Sequence, residues 1–166
     1  MYICDTHDKI KIIKYEKNIL FSNCMKKVFD NNKIDYCFSF GSHILSGEIL
    51  KTYRNRIINF HPSILPMYPG LYAIDQAVKD EKSFLIGNTA HFIDEGIDSG
   101  PIIMQSVLPI QAFCDSKGNY DLVLDLQVEM MKKIIKLLSE NKIIEKENKI
   151  IILGADYNKS FIFPVV

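Results

Sequence analysis

Short apolar runs alternate along this chain with stretches whose apolar residues recur at helical spacing. Runs of about four to eight apolar or alternating residues predict strands, and apolar residues three and four apart predict helices. The predicted strands are Lys11–Tyr15, Asn18–Phe21, Tyr36–Phe40, Ile57–Phe60, Asn88–Ile93 and Ile102–Leu108, the first two forming either a hairpin or two edge strands. The predicted helices are one capped by Ser22 and ending at Asn31-Asn32, then Ser46–Arg54, Leu71–Lys79 and Asp121–Glu140. This alternation favours an α/β sheet with helices on its faces.

The strongest helical pattern lies in Asp121–Glu140, where apolar residues step by four, three, four and three. The stripe they form is predicted to face the core. It consists of Leu124, Val128, Met131, Ile135 and Leu138. The tail KIIEKENKIII predicts a final β-hairpin around Glu147-Asn148.

Between these elements, PSILPMYPG carries three prolines from Pro62 to Pro69 and is predicted to be a rigid loop. The strand that follows, Asn88–Ile93, alternates, so Thr89, His91 and Ile93 are expected to share one face.

Length and composition limit the classes of protein. The 166 residues, 48% of them apolar, predict one globular domain over 1–166. Twenty basic and 20 acidic residues cancel, which argues against binding to nucleic acid through net charge. No apolar run is long enough to span a bilayer, and the start MYICDTHDKIK does not resemble a secretory signal. The four scattered cysteines suit a reducing compartment, so a cytoplasmic protein is expected.

Candidate chemistry gathers in the middle of the chain. Asn59 and His61 lie two apart at the end of a strand, so their side chains point to the same side. His91 comes from a second strand, and the loop DEGIDSG, which contains Asp98, follows it directly. An Asn amide can donate to a developing oxyanion, a His can carry a proton, and a carboxylate can orient that His. These residues suit attack by an amine on a carbonyl carbon. A metal site from His61, His91 and Asp94 or Asp98 is the alternative by residue type.

Two motifs extend this pattern. NFHPSILPMYPGL (Asn59–Leu71) and GNTAHFIDEGIDSGPIIMQ (Gly87–Gln105) resemble, in order and separation, the folate-dependent formyltransferases. Within that family the chain is most similar to the glycinamide ribonucleotide transformylases. It is more distantly similar to the N-terminal domain of methionyl-tRNA formyltransferases and to sugar-nucleotide N-formyltransferases. The resemblance covers roughly Tyr36 to Val107.

The resemblance implies roles for particular residues. Asn59, His61 and Asp98 match the family's catalytic residues: the first two would steady the oxyanion, and Asp98 would order a water and assist proton removal. His91 matches a histidine that holds the loop beside the folate. The implied folate-binding residues are His43, Ile44, Leu45, His91, Asp94, Glu95, Gly96 and Ile97. The implied acceptor-binding residues are Ser42, Tyr68, Pro69, Gly70 and Thr89. The implied reaction uses no metal.

The fold implied is Rossmann-like, with a mostly parallel sheet, a shortened N-terminus and a C-terminal β-hairpin. Such relatives open with a glycine-rich loop that binds the acceptor's phosphate, whereas this chain has no glycine before Gly41. His43 stands where the family has an arginine. These departures leave the acceptor open between glycinamide ribonucleotide and a nucleotide-linked amino sugar.

The expected function is therefore transfer of a formyl group from N10-formyltetrahydrofolate, the co-substrate, to a primary amine of a small phosphorylated or nucleotide-linked molecule. A formyltetrahydrofolate hydrolase and a non-catalytic folate-binding relative are the alternatives. The expected partner is a small-molecule amine, with no nucleic acid and no membrane, and the protein is expected to be a monomer or homodimer.

Overall fold

The computed structural model of the chain describes residues 2–6, 9–13, 18–41, 43–111, 115–147 and 149–159. In chain order they form β1 (Tyr2–Thr6), β2 (Lys9–Ile13), α1 (Asn18–Asn32), β3 (Cys37–Ser39), α2 (Glu48–Thr52), β4 (Ile57–His61), α3 (Ala73–Lys79), β5 (Leu85–Phe92), β6 (Ile102–Pro109), α4 (Ser116–Ser139), β7 (Ile143–Lys146) and β8 (Lys149–Ile152). Most predicted elements are confirmed, with bounds that differ by a few residues.

Six strands form one mixed sheet in the order β2-β1-β3-β4-β5-β6. The α/β fold with flanking helices is confirmed, but the expectation of a mostly parallel sheet is wrong. Only β3 and β4 pair in parallel among the described strands; the other neighbours are antiparallel. No helix separates β5 from β6. Helix α3, which follows β4, packs Ile74 and Ala77 against Ile86 of β5 and Val123 of α4. The next strand, β5, then runs antiparallel to β4.

Helices cover both faces of the sheet because β4 is apolar on both sides. Ile57 packs with Phe21 and other side chains of α1 and α2. Ile58, which points the opposite way, packs with Met130 and Ile134 of α4. The carboxyl ends of β3 and β4 therefore lie between two helical layers.

The N-terminal region differs from the prediction. Asn18–Phe21, predicted as a strand, is the first turn of α1, and β2 pairs instead with β1. Ser22 is inside α1 rather than its N-cap, and its hydroxyl donates to the Asn18 carbonyl at 2.8 Å. Phe21, Met25 and Phe29 are buried at four-residue spacing, which extends the helix towards its N-terminus. A short apolar run does not by itself distinguish helix from strand. The predicted end at Asn31-Asn32 is confirmed.

The predicted core face of α4 is wrong for three of its five residues, whereas Met131 and Leu138 do pack against the core. The buried residues are Asn119, Val123, Gln127, Met130 and Ile134. In the predicted stripe Leu124 is 42% exposed, Val128 41% and Ile135 47%. The polar residues Asn119 and Gln127 interrupt the stripe that packs on the sheet, so the fully apolar neighbouring stripe gave the stronger sequence pattern.

The C-terminal hairpin is confirmed, with Ile143 opposite Ile152 and Lys146 opposite Lys149. Glu145 fixes it to the turn before β4, because its carboxylate accepts hydrogen bonds from Arg54 and from Asn55.

Candidate active site

The end of β4 presents two polar side chains on one face of the sheet. In β4, Asn59 and His61 alternate with the apolar Ile58 and Phe60, and His61 is only 4% exposed. The cross-strand neighbour of Asn59 on β5 is His91, as the strand register requires. The predicted convergence of these three side chains follows from strand alternation alone.

The loop after β5 brings in the carboxylate. A Cβ at Gly100 would lie 1.8 Å from the Phe92 carbonyl oxygen, so only glycine allows the loop to close back on its strand. The Phe92 N–H then donates to the Pro101 carbonyl at 2.9 Å. Within the loop, Asp98 has φ 49°, a left-handed conformation that is costly for a residue with a side chain. Strained backbone of this kind tends to occur at functional sites.

Asp98 is the centre of a polar cluster. Its Oδ2 lies 3.2 Å from His61 Nδ1 and accepts the Gly70 backbone N–H at 2.8 Å. Its Oδ1 lies 3.6 Å from His91 Nε2 and 3.5 Å from Asn59 Nδ2. Asn59 Nδ2 is also 3.3 Å from His91 Nε2. The structure thus brings together the three residues predicted to be catalytic and the histidine predicted to support them.

Neighbouring carbonyls define the proton positions on the two histidines. His61 Nε2 is 2.8 Å from the Tyr68 carbonyl oxygen, and His91 Nδ1 is 2.9 Å from the Phe92 carbonyl oxygen. A carbonyl only accepts, so each of these nitrogens carries a proton. The other ring nitrogen, His61 Nδ1, lies 3.2 Å from Asp98 Oδ2. Both ring nitrogens of His61 therefore have partners.

The charge of Asp98 is stabilised by its surroundings. Burial by itself raises the pKa of this carboxyl group, but the hydrogen bond with His91, the Gly70 N–H and the nearby positive charge of the histidines outweigh it and lower the pKa below the ordinary 3.8. Asp98 is therefore a carboxylate at neutral pH and can accept a proton or a hydrogen bond.

Side chains of β5 and β6 hold the proline-rich loop in place by hydrogen bonds to its backbone. Thr89 donates to the Ser63 carbonyl at 2.7 Å and accepts the Leu65 N–H at 3.0 Å. Gln105 adds a bond to the Leu65 carbonyl at 2.9 Å. These buried bonds place Gly70, which has φ 82°, beside Asp98.

A cavity of about 570 Å³ opens over this cluster. Eleven predicted site residues line it: His43, Ile44, Leu45, Asn59, His61, Gly70, His91, Asp94, Gly96, Ile97 and Asp98. The His43 ring contacts that of Phe21, with centroids 5.8 Å apart, and burial is the main cause that lowers the pKa of His43.

Other predicted residues have different positions. Thr89 is fully buried beneath the loop, with its hydroxyl bonded to backbone, so the structure does not bring it to the cavity. Glu95 lines a neighbouring cavity of about 500 Å³ beside Arg54 and Glu145. Tyr68 borders the site through its carbonyl, while its hydroxyl donates to Asp80. Pro69 is exposed next to it, and Ser42 lies outside the described residues.

The sequence analysis missed the side of the cavity formed by α4 and the end of β3. The additional lining residues are Ser39, Phe40, Gly41, Phe60, Pro62, Leu71, Tyr72, Ile93, Tyr120 and Gln127. Ser39 is buried, and among the residues that the structure describes its hydroxyl has no hydrogen-bond partner. Gln127 is a polar residue in phase with the buried stripe of α4, which is the pattern that could have revealed it.

Two further properties bear on function. In the described part of the chain, no group of three or more His, Cys, Asp or Glu side chains is arranged to hold a metal ion. Within the same residues, none of the helices combines the length and apolar character needed to cross a bilayer.

The sequence matches the protein family described as formyl transferase over residues 5–135. Phosphoribosylglycinamide formyltransferase of Bacillus subtilis is 35% identical over 97 residues, which are 58% of this chain and 49% of that protein. Formyltetrahydrofolate deformylase of Haemophilus influenzae is 33% identical over 110 residues, 66% and 39% of the two chains. The crystal structure of glycinamide ribonucleotide transformylase 1 from Symbiobacterium toebii superposes with a TM-score of 0.75 at 28% identity, covering 80% of this chain and 63% of that one. The chain thus spans less than half the length of both sequence relatives.

Proposed function

Since its match covers most of the sequence, the chain belongs to the formyl transferase family, and we propose that it transfers a formyl group from N10-formyltetrahydrofolate to a primary amine. One observation supports this assignment above others. The Asp98 carboxylate lies inside a cavity within 3.6 Å of both His61 and His91 and 3.5 Å from the Asn59 amide. A carboxylate, an imidazole and an amide donor at one point suit acyl transfer to an amine.

Two features of the cavity walls support the proposal of a folate co-substrate. Ile44 and Ile97, which are 49% and 63% exposed, stand on two loops beside the polar cluster and offer apolar contact to a flat ring. Loop backbone of Asp94 to Ile97 would meet the polar edge of the pterin. We assign His43, Leu45 and His91 to the same side of the cavity as supporting residues.

Each residue of the polar cluster would have its own role in the formyl transfer. The amine nitrogen bonds to the formyl carbon, the bond from that carbon to N10 breaks, and the amine proton goes to N10, giving a formamide and tetrahydrofolate. Asn59 would donate to the oxygen that becomes negative, joined by His61 once one of its two present hydrogen bonds is released. Asp98 would assist removal of the amine proton, directly or through an ordered water.

The acceptor would approach over the turn at Gly70, whose left-handed backbone is held by Asp98. Tyr68 and Pro69, which precede that turn, and Ser42 complete the proposed acceptor side. The acceptor class is a small phosphorylated or nucleotide-linked amine. We place this function in one cytoplasmic domain over 1–166, acting as a monomer or homodimer.

Hydrolysis is the second candidate, because a formyltetrahydrofolate deformylase is among the similar proteins. In that reaction water replaces the amine, and the products are formate and tetrahydrofolate. The same cluster would serve, since Asp98 can orient water as readily as an amine.

The deciding experiment measures tetrahydrofolate release from N10-formyltetrahydrofolate by absorbance. Glycinamide ribonucleotide and several nucleotide-linked amino sugars serve as acceptors, with a reaction that has no acceptor as control. Release that requires an acceptor and is lost in His61→Ala supports transfer. Release without acceptor identifies the hydrolase. Folate binding with no release in any reaction would contradict both and leave a non-catalytic folate-binding protein.

A further inference from the structure

Helix α4 has an apolar stripe on its surface that the described part of the chain covers only in part. The stripe lies beside the residues that pack on the sheet, and its members step by four, three, four and three residues. Leu124, Val128 and Ile135 are each exposed by two fifths or more, whereas Met131 and Leu138 are half-buried against the core. These five residues, here called the outer stripe, extend over roughly 21 Å of helix. A continuous apolar surface of this kind is typical of an interaction site.

The spacing of the outer stripe is that of a helix that packs along another helix. Alternating steps of four and three residues give a repeat of about 3.5, with which two helices keep one line of side chains in contact. Helix α3 contacts α4 at Val123, which belongs to the sheet-facing stripe and not to the outer one. The sheet-facing stripe contains Asn119 and Gln127, so the outer stripe is the more apolar of the two. The pattern therefore indicates a further helix as the partner of the outer stripe.

Charged residues along the solvent side of the outer stripe divide by sign. By helical spacing, Asp121 and Asp125 border its first half. Lys132 and Lys136 border its second half, and all four side chains are exposed. Lys132 also pairs with Glu129 of the same helix at 2.8 Å, an exposed contact that contributes little stability and can rearrange. This border is therefore acidic towards the start of the helix and basic towards its end.

We propose that the outer stripe is the interface of a homodimer in which the α4 helices of two copies of this chain pack antiparallel about a twofold axis. This arrangement places Leu124 opposite Ile135 of the second copy and Val128 opposite Met131 of the second copy. Because the axis relates the two copies, each contact occurs twice. The exposed apolar side chains of one copy are then covered by those of the other, which removes their surface from water.

The charges select the antiparallel arrangement over the parallel one. With antiparallel helices, Asp125 faces Lys132 of the second copy, and Asp121 faces Lys136 of the second copy. These pairs and the apolar pairs have a common centre at Glu129, so one twofold axis produces both sets. With parallel helices each charged side chain would face its own equivalent, and like charges would repel.

The interface is expected to be small and separate from the polar cluster. One helical stripe offers less surface than the roughly 800 Å² per partner of a standard interface, so we expect a dissociation constant on the order of 10 µM. None of the five residues of the outer stripe is among those that line the cavity over Asp98. The dimer therefore leaves both cavities open and does not depend on the proposed function.

Sedimentation velocity of the full chain, over about 1 to 200 µM protein, tests the dimer. Ile135→Glu places a charge within the apolar contact. Leu20→Glu changes an exposed apolar side chain of α1 in the same way and is the matched control. Asp125→Lys and Lys132→Asp are made singly and together, because only the double variant restores opposite charges across the axis. Circular dichroism of every variant checks the fold.

The wild type and Leu20→Glu are expected to form the same concentration-dependent dimer. Ile135→Glu should weaken the dimer by about tenfold or more, because two unpaired carboxylates would be buried in each interface. Asp125→Lys and Lys132→Asp should each weaken it by about threefold or more, since each creates two contacts between like charges. The double variant should return close to the wild type. The far-UV spectrum should be the same throughout, because all the changed side chains are exposed in the single copy.

Three results would overturn the proposal. A wild type that stays monomeric up to about 200 µM would show that the outer stripe does not bind a second copy. A dimer that Ile135→Glu leaves intact, or that Leu20→Glu disrupts instead, would place the contact on another surface. Single charge variants as tight as the wild type, or a double variant as weak as the single ones, would show that the two helices do not pack antiparallel.

Discussion

The carboxylate of Asp98 accepts a hydrogen bond from the backbone N–H of Gly70 at 2.8 Å, which joins the loop after β5 to the loop after β4. Both residues have left-handed backbones, with φ 49° at Asp98 and 82° at Gly70. Such a conformation costs about 1–2 kcal/mol for a residue with a Cβ. The left-handed backbone of Asp98 therefore lowers the stability of the fold while its side chain holds the two loops together. A substitution at Asp98 is expected to affect both loops.

The stability that Asp98 contributes is expected to depend on pH. Its hydrogen bonds lower the pKa in the folded state below the ordinary 3.8 in spite of burial, so the folded protein favours the carboxylate. That contribution is complete above the ordinary pKa and is lost as the pH falls through the lowered value. The free energy of unfolding of the wild type should therefore exceed that of Asp98→Asn by a constant amount at about pH 5, and the difference should shrink below about pH 4. Urea denaturation across this range checks it; a difference that grows in acid contradicts the assignment.

His61 and Asp98 are expected to act together in turnover, so that removing either one has nearly the full effect. His61→Ala and Asp98→Asn should each lower the rate of tetrahydrofolate release by about 10²-fold or more, and the double variant should be little worse than either, because groups that act together are not additive. Circular dichroism should show an intact fold in all three. Lys133→Ala, an exposed change on α4, serves as control and should match the wild type. Near-normal rates in both single variants would refute the mechanism.

Gly100→Ala is expected to open the loop after β5. The new Cβ would meet the Phe92 carbonyl oxygen at 1.8 Å, so the backbone must shift and the bond from Phe92 to Pro101 must weaken. We expect a loss of about 2 kcal/mol or more in the free energy of unfolding, with weaker folate binding.

Gly154→Ala is the control for that change. Gly154 has φ 79° with no atom within 4 Å of the added Cβ, so its cost should be about 1 kcal/mol and folate affinity should not change. Thermal unfolding and folate titration of the two variants provide the comparison. Equal effects would show that the close approach at Gly100 has no bearing on the site.

Neighbouring isoleucines on α4 should respond very differently to truncation. Ile134 is 0% exposed in the core, so Ile134→Ala should lower the free energy of unfolding by about 2–5 kcal/mol. Ile135 is 47% exposed, and Ile135→Ala should cost less than about 1 kcal/mol. Chemical denaturation of the two variants shows which face of α4 packs in the core. A larger loss of stability in Ile135→Ala than in Ile134→Ala would support the core face predicted from the sequence.

The sequence predicted those parts of the site that depend on local geometry. Asn59 and His61 share a face because strand side chains alternate, and His91 joins them on the neighbouring strand for the same reason. The role of Asp98 was implied by the resemblance of the two motifs to the formyltransferases, not by local geometry.

The sequence did not predict the features that depend on tertiary packing. Helix α4 has a fully apolar stripe next to one that contains Asn119 and Gln127, and only contact with the sheet selects the second. The start of α1 is similar, since Phe21 becomes helical by packing in the core with Met25 and Phe29. The directions of β5 and β6 likewise follow from how the chain returns to the sheet, which short apolar runs do not specify.

Strands β4, β5 and β6 are consecutive in the chain and adjacent in the sheet, and the whole polar cluster lies on them and on the loops that follow β4 and β5. Pairing between strands that follow one another in the chain joins residues closer in sequence than pairing with the terminal strands would, which favours early formation during folding. The active-site framework can therefore assemble before the terminal hairpins dock. Changes in those hairpins should then alter the folding yield more than the rate of chemistry at the site.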